Sequence, residues 1–305
     1  MSAAFAVVAT SVLDIAYLEW NPTGRRTAVL LHGWPDGPAG WTRVAERLAG
    51  AGWRVLCPAL RGFAPSRFRD PRTPRSGQLA ALGRDLLDFV DALGLDRPLL
   101  VGHDWGARAA ANACGLRPAA AAGLAMLSVG YGTNAPDQAL SLPQARNYWY
   151  HWYLATARGA DALARDRRGF ARYLWDTWSP PGWARDAAFE AVAPGFDGPD
   201  WLEVVVHSYR HRWGLAEGDP ACAADEARLQ PAPSLDLPAL LLHGEADACN
   251  DPATSAGSAR WFAGPFARRL LPGVGHFPQH EAPDAVADAL LEAFGEAGGD
   301  VARER

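Results

Sequence analysis

The stretch LLVGHDWGARAA, residues 99–110, constrains this chain more than any other. An apolar run enters a Gly-x-Asp-x-Gly turn, and an Ala-rich segment of high helix propensity leaves it. The two glycines, Gly102 and Gly106, permit a strand-to-helix turn so tight that the central side chain is lifted clear of the sheet. That central residue is Asp104. No Gly-x-Ser-x-Gly occurs anywhere in the sequence, so the position where such turns present a nucleophile is held by a carboxylate.

The residue type decides the chemistry. A serine attacking a saturated carbon would leave an ether, which water does not readily cleave. A carboxylate attacking the same carbon leaves an ester, and water activated by a histidine can hydrolyse it. Asp104 therefore points to displacement at an sp³ carbon through a covalent alkyl-enzyme ester, with an epoxide or a carbon–halogen bond as the substrate.

Other apolar runs end in chemistry-bearing turns. LLHGEADACND (241–251) closes a strand and carries Asp247, while GVGHFPQHEAP (273–283) puts His276 in a Gly-flanked loop before a helix. The order Asp104, Asp247, His276 is that of nucleophile, acid and base, with His276 taking a proton from water and Asp247 holding its tautomer. Glu245 competes for the acid role but lies nearer the strand end. His103, His243 and His280 read as structural. LLHGWPDG (30–37) ends a further strand. There the backbone N–H of Trp34, with that of Trp105, can form an oxyanion hole, and Pro35 is a candidate cis proline.

Short apolar runs alternate with amphipathic segments along most of the chain. Strands are expected at 27–33, 53–60, 97–104, 122–129, 238–247 and 267–275. Helices are expected at 40–50, 76–94, 105–117, 251–263 and 283–297. This is an α/β pattern with a mostly parallel sheet. It breaks between Tyr131 and Ser234, a stretch that holds seven of the thirteen Trp and six of the seven Tyr. Helical segments are expected there at 143–157, 160–176 and 200–213. The domain reading is a core of residues 1–130 and 235–305 with an inserted helical lid, 131–234, suited to closing an apolar pocket.

Composition narrows the partners. The net charge is −5 and no block of like charge stands out, which argues against nucleic acid. Every basic residue is Arg, a bias that favours a GC-rich bacterial source. Cys57, Cys114, Cys222 and Cys249 are scattered, without metal-ligand spacing, and read as buried free thiols. No apolar run reaches the roughly 18 residues that a membrane span needs, and the N-terminus reads as a strand. A cytoplasmic location follows by elimination, with a small-molecule substrate as partner and a homodimer permitted.

These motifs resemble the epoxide hydrolase and dehalogenase branch of the α/β-hydrolase superfamily. HGWP, RGFAPS (61–66), GHDWG, GEAD and GHFPQHEAP stand in that branch's order and spacing, with Ala64 replacing the second Gly of Arg-Gly-x-Gly-x-Ser. The resemblance implies an eight-stranded sheet, a lid after strand six and no cofactor. It also implies an epoxide hydrolase whose lid supplies two donors to the epoxide oxygen. Tyr209 matches one; the other can be His151, Tyr148, Tyr150 or Tyr153. The same lid resembles that of haloacetate dehalogenases, which cradle a departing halide, here with His151, Trp152 and Tyr209. Those enzymes hold the substrate carboxylate with two Arg; Arg108 matches the second, but Trp105 stands where the first belongs. Trp105 thus leans toward an epoxide, with a haloacid (haloacetate or fluoroacetate) dehalogenase as the alternative. A third possibility, a binding protein on this fold without turnover, is opposed by the complete Asp104, Asp247 and His276 set.

Overall fold

The computed structural model describes residues 4–132, 139–183 and 186–295. At its centre is a nine-stranded sheet. Its strands are β1 (Ala6–Ala9), β2 (Leu13–Trp20), β3 (Arg26–Leu31), β4 (Trp53–Pro58), β5 (Arg67–Phe68), β6 (Leu99–His103), β7 (Gly123–Leu127), β8 (Ala239–Gly244) and β9 (Phe266–Leu271). Eight follow the spatial order β1-β2-β4-β3-β6-β7-β8-β9, and β5 pairs with β2. The strands from β4 across to β9 pair in parallel, whereas β1, β2 and β5 pair antiparallel. The count exceeds the expected eight by β5, a two-residue strand with no apolar run to announce it.

The helices are α1 (Thr42–Gly50), α2 (Leu79–Ala92), α3 (Trp105–Leu116), α4 (Leu142–Asn147), α5 (Trp149–Ala155), α6 (Ala157–Arg165), α7 (Arg167–Trp178), α8 (Asp186–Val192), α9 (Trp201–Arg212), α10 (Ala223–Arg228), α11 (Pro278–Glu281) and α12 (Pro283–Phe294). Strand alternation sends side chains to both faces of the sheet. On β3, Ala28 and Leu30 pack with Val44 and Leu48 of α1 and Leu290 of α12, while Val29 and Leu31 pack with Leu86 and Phe89 of α2 and Ala110 of α3. Each face is thereby covered by helices, as a parallel sheet requires.

Among the described residues, the chain between β7 and β8 holds the seven helices α4–α10 and no strand. Of the three expected helical segments, 200–213 is the single helix α9, whereas 143–157 and 160–176 are subdivided. Thr156 accepts a bond from the Gly159 amide and starts α6, and Asp166 accepts one from the Gly169 amide and starts α7, so side-chain caps break the helices where apolar periodicity alone runs on. The helix expected at 251–263 is instead two 3₁₀ turns, Pro252–Ser255 and Ser258–Trp261, separated by Gly257. All four cysteines are buried free thiols. No helix among the described residues is long and apolar enough to cross a membrane. Residues 296–305, including the end of the helix expected at 283–297, lie outside the described residues.

Candidate active site

Parallel register brings the C-terminal ends of β3, β6, β7 and β8 together: Leu31 pairs with Gly102, His103 with Leu127, and Leu127 with Leu242. The loops that leave these ends meet above one edge of the sheet, the usual place for a site in a parallel α/β fold. Asp104 sits there between β6 and α3 with φ 48° and ψ −113°, in strained backbone for a residue with a Cβ. The flanking glycines make the turn possible. A Cβ on Gly102 would stand 2.1 Å from the Gly106 carbonyl oxygen, and one on Gly106 would stand 2.3 Å from the Leu31 oxygen.

Asp104 is buried. The Trp34 amide donates to its Oδ1 at 3.1 Å. The Trp34–Pro35 peptide is cis, as the sequence suggested. Trp105 is the first residue of α3, where helix N–H groups lack intrahelical acceptors. The indole of Trp34 is the hub of an aromatic chamber and meets the rings of Trp105, Tyr150, Trp178 and Tyr209 at centroid distances of 5.3–6.5 Å.

His276 and Asp247 lie together, both buried. His276 Nδ1 is 3.0 Å from Asp247 Oδ2 and 3.1 Å from Oδ1. The amides of Cys249 and Asn250 each donate to Asp247 Oδ1 at 2.8 Å, and His243 Nε2 is 3.2 Å from Oδ2. Burial raises the Asp247 pKa, but the His276 and His243 rings outweigh it and hold the group below the usual carboxylate range. Burial opposes a charge on His276, yet Asp247, together with Cys249, raises its pKa well above the ordinary value. His276 Nε2 is buried and hydrogen-bonded to nothing among the described residues. Glu245 is exposed, whereas Asp247 is buried. His103 and Ser128 both bind the His276 carbonyl, at 2.7 and 2.9 Å; burial and the nearby His276 push the His103 pKa down to about 4, so this ring is neutral.

The helical segment contributes the roof. His151 and Tyr209 are each about 1% exposed, with ring centroids 4.6 Å apart. The Trp213 indole N–H donates to His151 Nδ1 at 3.2 Å. An indole can only donate, so Nδ1 is unprotonated and a neutral His151 carries its proton on Nε2. Burial, with Arg212 and Arg108, lowers the His151 pKa well below its usual value. The ring is therefore neutral, and its Nε2–H is a buried donor without an acceptor among the described residues. Burial and the Asp104 charge raise the Tyr209 pKa, which keeps its hydroxyl protonated.

The other candidates separate by geometry. The Tyr148 hydroxyl donates to Asn250 Oδ1 at 2.7 Å, and Tyr150 Oη lies 3.4 Å from Cys249 Sγ. Tyr153 is not in the chamber: its ring stacks on Phe170. Trp152 is also outside the chamber, contrary to its expected place in a halide cradle. It is 40% exposed, and its indole N–H donates to the Ala145 carbonyl. Arg108 is buried on α3, one turn beyond Asp104, and burial with Arg212 lowers its pKa. Arg212, the last residue of α9, and Trp213, its C-cap, stand three and four residues after Tyr209, a spacing that places neighbours on one face and that the apolar pattern does not mark. That pattern also passes over Gln144, whose side chain donates to the Cys249 carbonyl and accepts from the Asp251 amide. With Tyr148, Gln144 fastens α4 and α5 to the loop that carries Asp247.

A family model described as alpha/beta hydrolase fold matches residues 28–283. The chain is 30% identical to epoxide hydrolase A of Mycobacterium tuberculosis, over 94% of its own length and 95% of that protein's. It is 28% identical to an epoxide hydrolase of Caballeronia sordidicola, covering 88% and 87%. A crystal structure from Klebsiella pneumoniae, assigned as a candidate epoxide hydrolase, superposes with a TM-score of 0.89 at 33% identity, covering 95% of this chain and 96% of that one. The chain belongs to the α/β-hydrolase family, in its epoxide hydrolase branch, and is an enzyme of that kind.

Proposed function

We propose that the enzyme converts epoxides to diols through an alkyl-enzyme ester on Asp104, with residues 131–234 acting as a cap over a core of 1–130 and 235–305. Oδ2 of Asp104 attacks an epoxide carbon and the C–O bond breaks. The departing oxygen accepts hydrogen bonds from His151 Nε2 and the Tyr209 hydroxyl and takes its proton from the phenol. Water then attacks the ester carbonyl carbon of Asp104 while His276 Nε2 takes the water's proton, and Asp247 stabilises the imidazolium. The Trp34 and Trp105 amides face the oxyanion that forms on the ester carbonyl. Collapse expels the diol and restores the carboxylate, and the proton on His276 returns the phenol to its starting state.

One observation carries this reading: a carboxylate nucleophile shares its chamber with a neutral His151 whose Nε2–H has no acceptor among the described residues. The same placement weakens the dehalogenase reading, because the Trp152 indole that would complete a halide cradle is turned outward and already bonded. The test is trapping. His276→Gln incubated with styrene oxide should gain the mass of one epoxide on the peptide containing Asp104, and Asp104→Asn should gain none. Halide release from chloro- or fluoroacetate without turnover of aryl or alkyl epoxides would overturn the proposal.

A further inference from the structure

We propose that Arg212 binds a carboxylate carried by the substrate, so that epoxides bearing an acid group are preferred over neutral ones. This deepens the epoxide reading and rests on it. Arg212 ends α9, only 7% exposed, and its Nε and Nη2 have no acceptor among the described residues. A guanidinium keeps its charge in a protein, and a buried charge is costly unless paired. The contrast within this fold is direct: buried Arg61 meets Asp85 through two short bonds and donates a third to the Ser76 carbonyl.

The placement suits a substrate. The Arg212 guanidinium carbon stands 5.2 Å from the centre of the Tyr209 ring, and that ring meets His151. The charge thus sits one ring away from the donors assigned to the epoxide oxygen. Arg212 also lines a cavity of about 350 Å³, shared with Ser208, His211, Gln78, Glu217 and Glu226, a size within the range of small-molecule sites. Ser208, one turn before Arg212, is 1% exposed, and its hydroxyl is also without a partner among the described residues. Glu226 does not pair with Arg212; it accepts from the Gln78 amide at 3.1 Å. Two glutamates on the wall oppose a dianion such as a phosphate ester and leave a monoanionic carboxylate, whose two oxygens match the guanidinium fork. The chemistry adds a reason. Alkylation turns Asp104 from an anion into an ester, and a substrate carboxylate keeps an anion beside the buried arginines while the intermediate stands.

The test compares an ω-carboxyalkyl terminal epoxide with its methyl ester on wild type, Arg212→Gln and Arg212→Lys. It also measures equilibrium binding of the saturated acid that lacks the epoxide. The wild type should favour acid over ester in kcat/KM by at least tenfold. Arg212→Gln should cut that ratio by about 10–100-fold, mainly through KM, the loss expected for a charge-assisted pair. Arg212→Lys should recover part of the ratio, and the saturated acid should bind wild type more tightly than Arg212→Gln. A wild-type ratio near one, or an Arg212→Gln variant that loses acid and ester equally with acid binding unchanged, overturns the proposal. If neither epoxide turns over but the acid still binds through Arg212, the hydrolase reading fails and the anion site stands; if the acid also fails to bind, both fall.

Discussion

At the scale of single residues, the site is set by which atoms already have partners. The Trp34 amide occupies one oxygen of Asp104, Trp213 fixes the proton of His151, and Asn250 and Cys249 engage Tyr148 and Tyr150. What remains is His151 Nε2, without a partner among the described residues, beside the ring of Tyr209. Tyr209→Phe should slow alkylation about 100-fold in single-turnover experiments, the loss typical of one oxyanion donor, while hydrolysis of a preformed ester is less affected. A second prediction concerns pH. His276 must be neutral to accept a proton, and Asp247 raises its pKa, so the hydrolysis step should speed up as pH rises through that raised value. In Asp247→Asn the raising charge is gone while burial, which lowers the pKa, persists. The rising limb should move to lower pH and the plateau should fall by about 10²–10⁴; a limb that stays in place would remove Asp247 from this role. The placing of Asp104, Asp247 and His276 in loops that leave the sheet was legible because each ends an apolar run at a turn, where one dimension of sequence maps simply onto space. Trp152 was not. Successive helical residues point about 100° apart; Tyr150 and His151 take the two positions that face the chamber, which leaves Trp152 on the outside of the helix, and a motif read as a dipeptide hides that.

At the scale of elements, close backbone approach governs. The strand–turn–helix around Asp104 is held by glycines that cannot grow. Gly106→Ala would drive a Cβ to 2.3 Å from the Leu31 oxygen, and a backbone atom cannot yield as a side chain can, so it should destabilise the fold by about 3 kcal/mol or more. Gly50, at the end of α1, has nothing within 4 Å of its ideal Cβ, and Gly50→Ala should be neutral or stabilising by about 0.5–1 kcal/mol. Urea unfolding of both variants checks the pair. The sheet was readable from apolar runs of strand length, since parallel strands are buried on both faces. The helices were less so. Caps at Thr156 and Asp166, and Gly257 between two short turns, divide segments whose apolar content is continuous, and β5 is too short to leave a pattern.

At the scale of the whole molecule, the loop of Trp34, the loop of His276 and the helical segment are tied by buried polar contacts. Asp36 accepts from the Gln279 amide at 2.9 Å and lies 3.0 Å from His280 Nε2. Burial raises its pKa, but His280 outweighs this and brings the value from 3.8 down to about 2. A carboxyl depressed in the folded state contributes stability above its unfolded pKa and loses it as pH falls through the folded one. About 2 kcal/mol should therefore disappear between pH 3.8 and about 2. The stability difference between wild type and Asp36→Asn, followed by denaturant unfolding across that range, should shrink accordingly. That helices fill the described chain between β7 and β8 was legible from its Trp and Tyr density, but not how they attach, because attachment runs through polar side chains that no hydrophobic pattern marks. Gln144 and Tyr148 clasp residues 249–251 next to Asp247, and this has a consequence for evolution and engineering. A roof grafted from another family member would arrive without its latch and would disturb the acid that orients His276. Chimeras that exchange 139–228 together with 249–251 should stay active where exchanges of 139–228 alone fail, which makes the latch, and not the roof itself, the unit of inheritance.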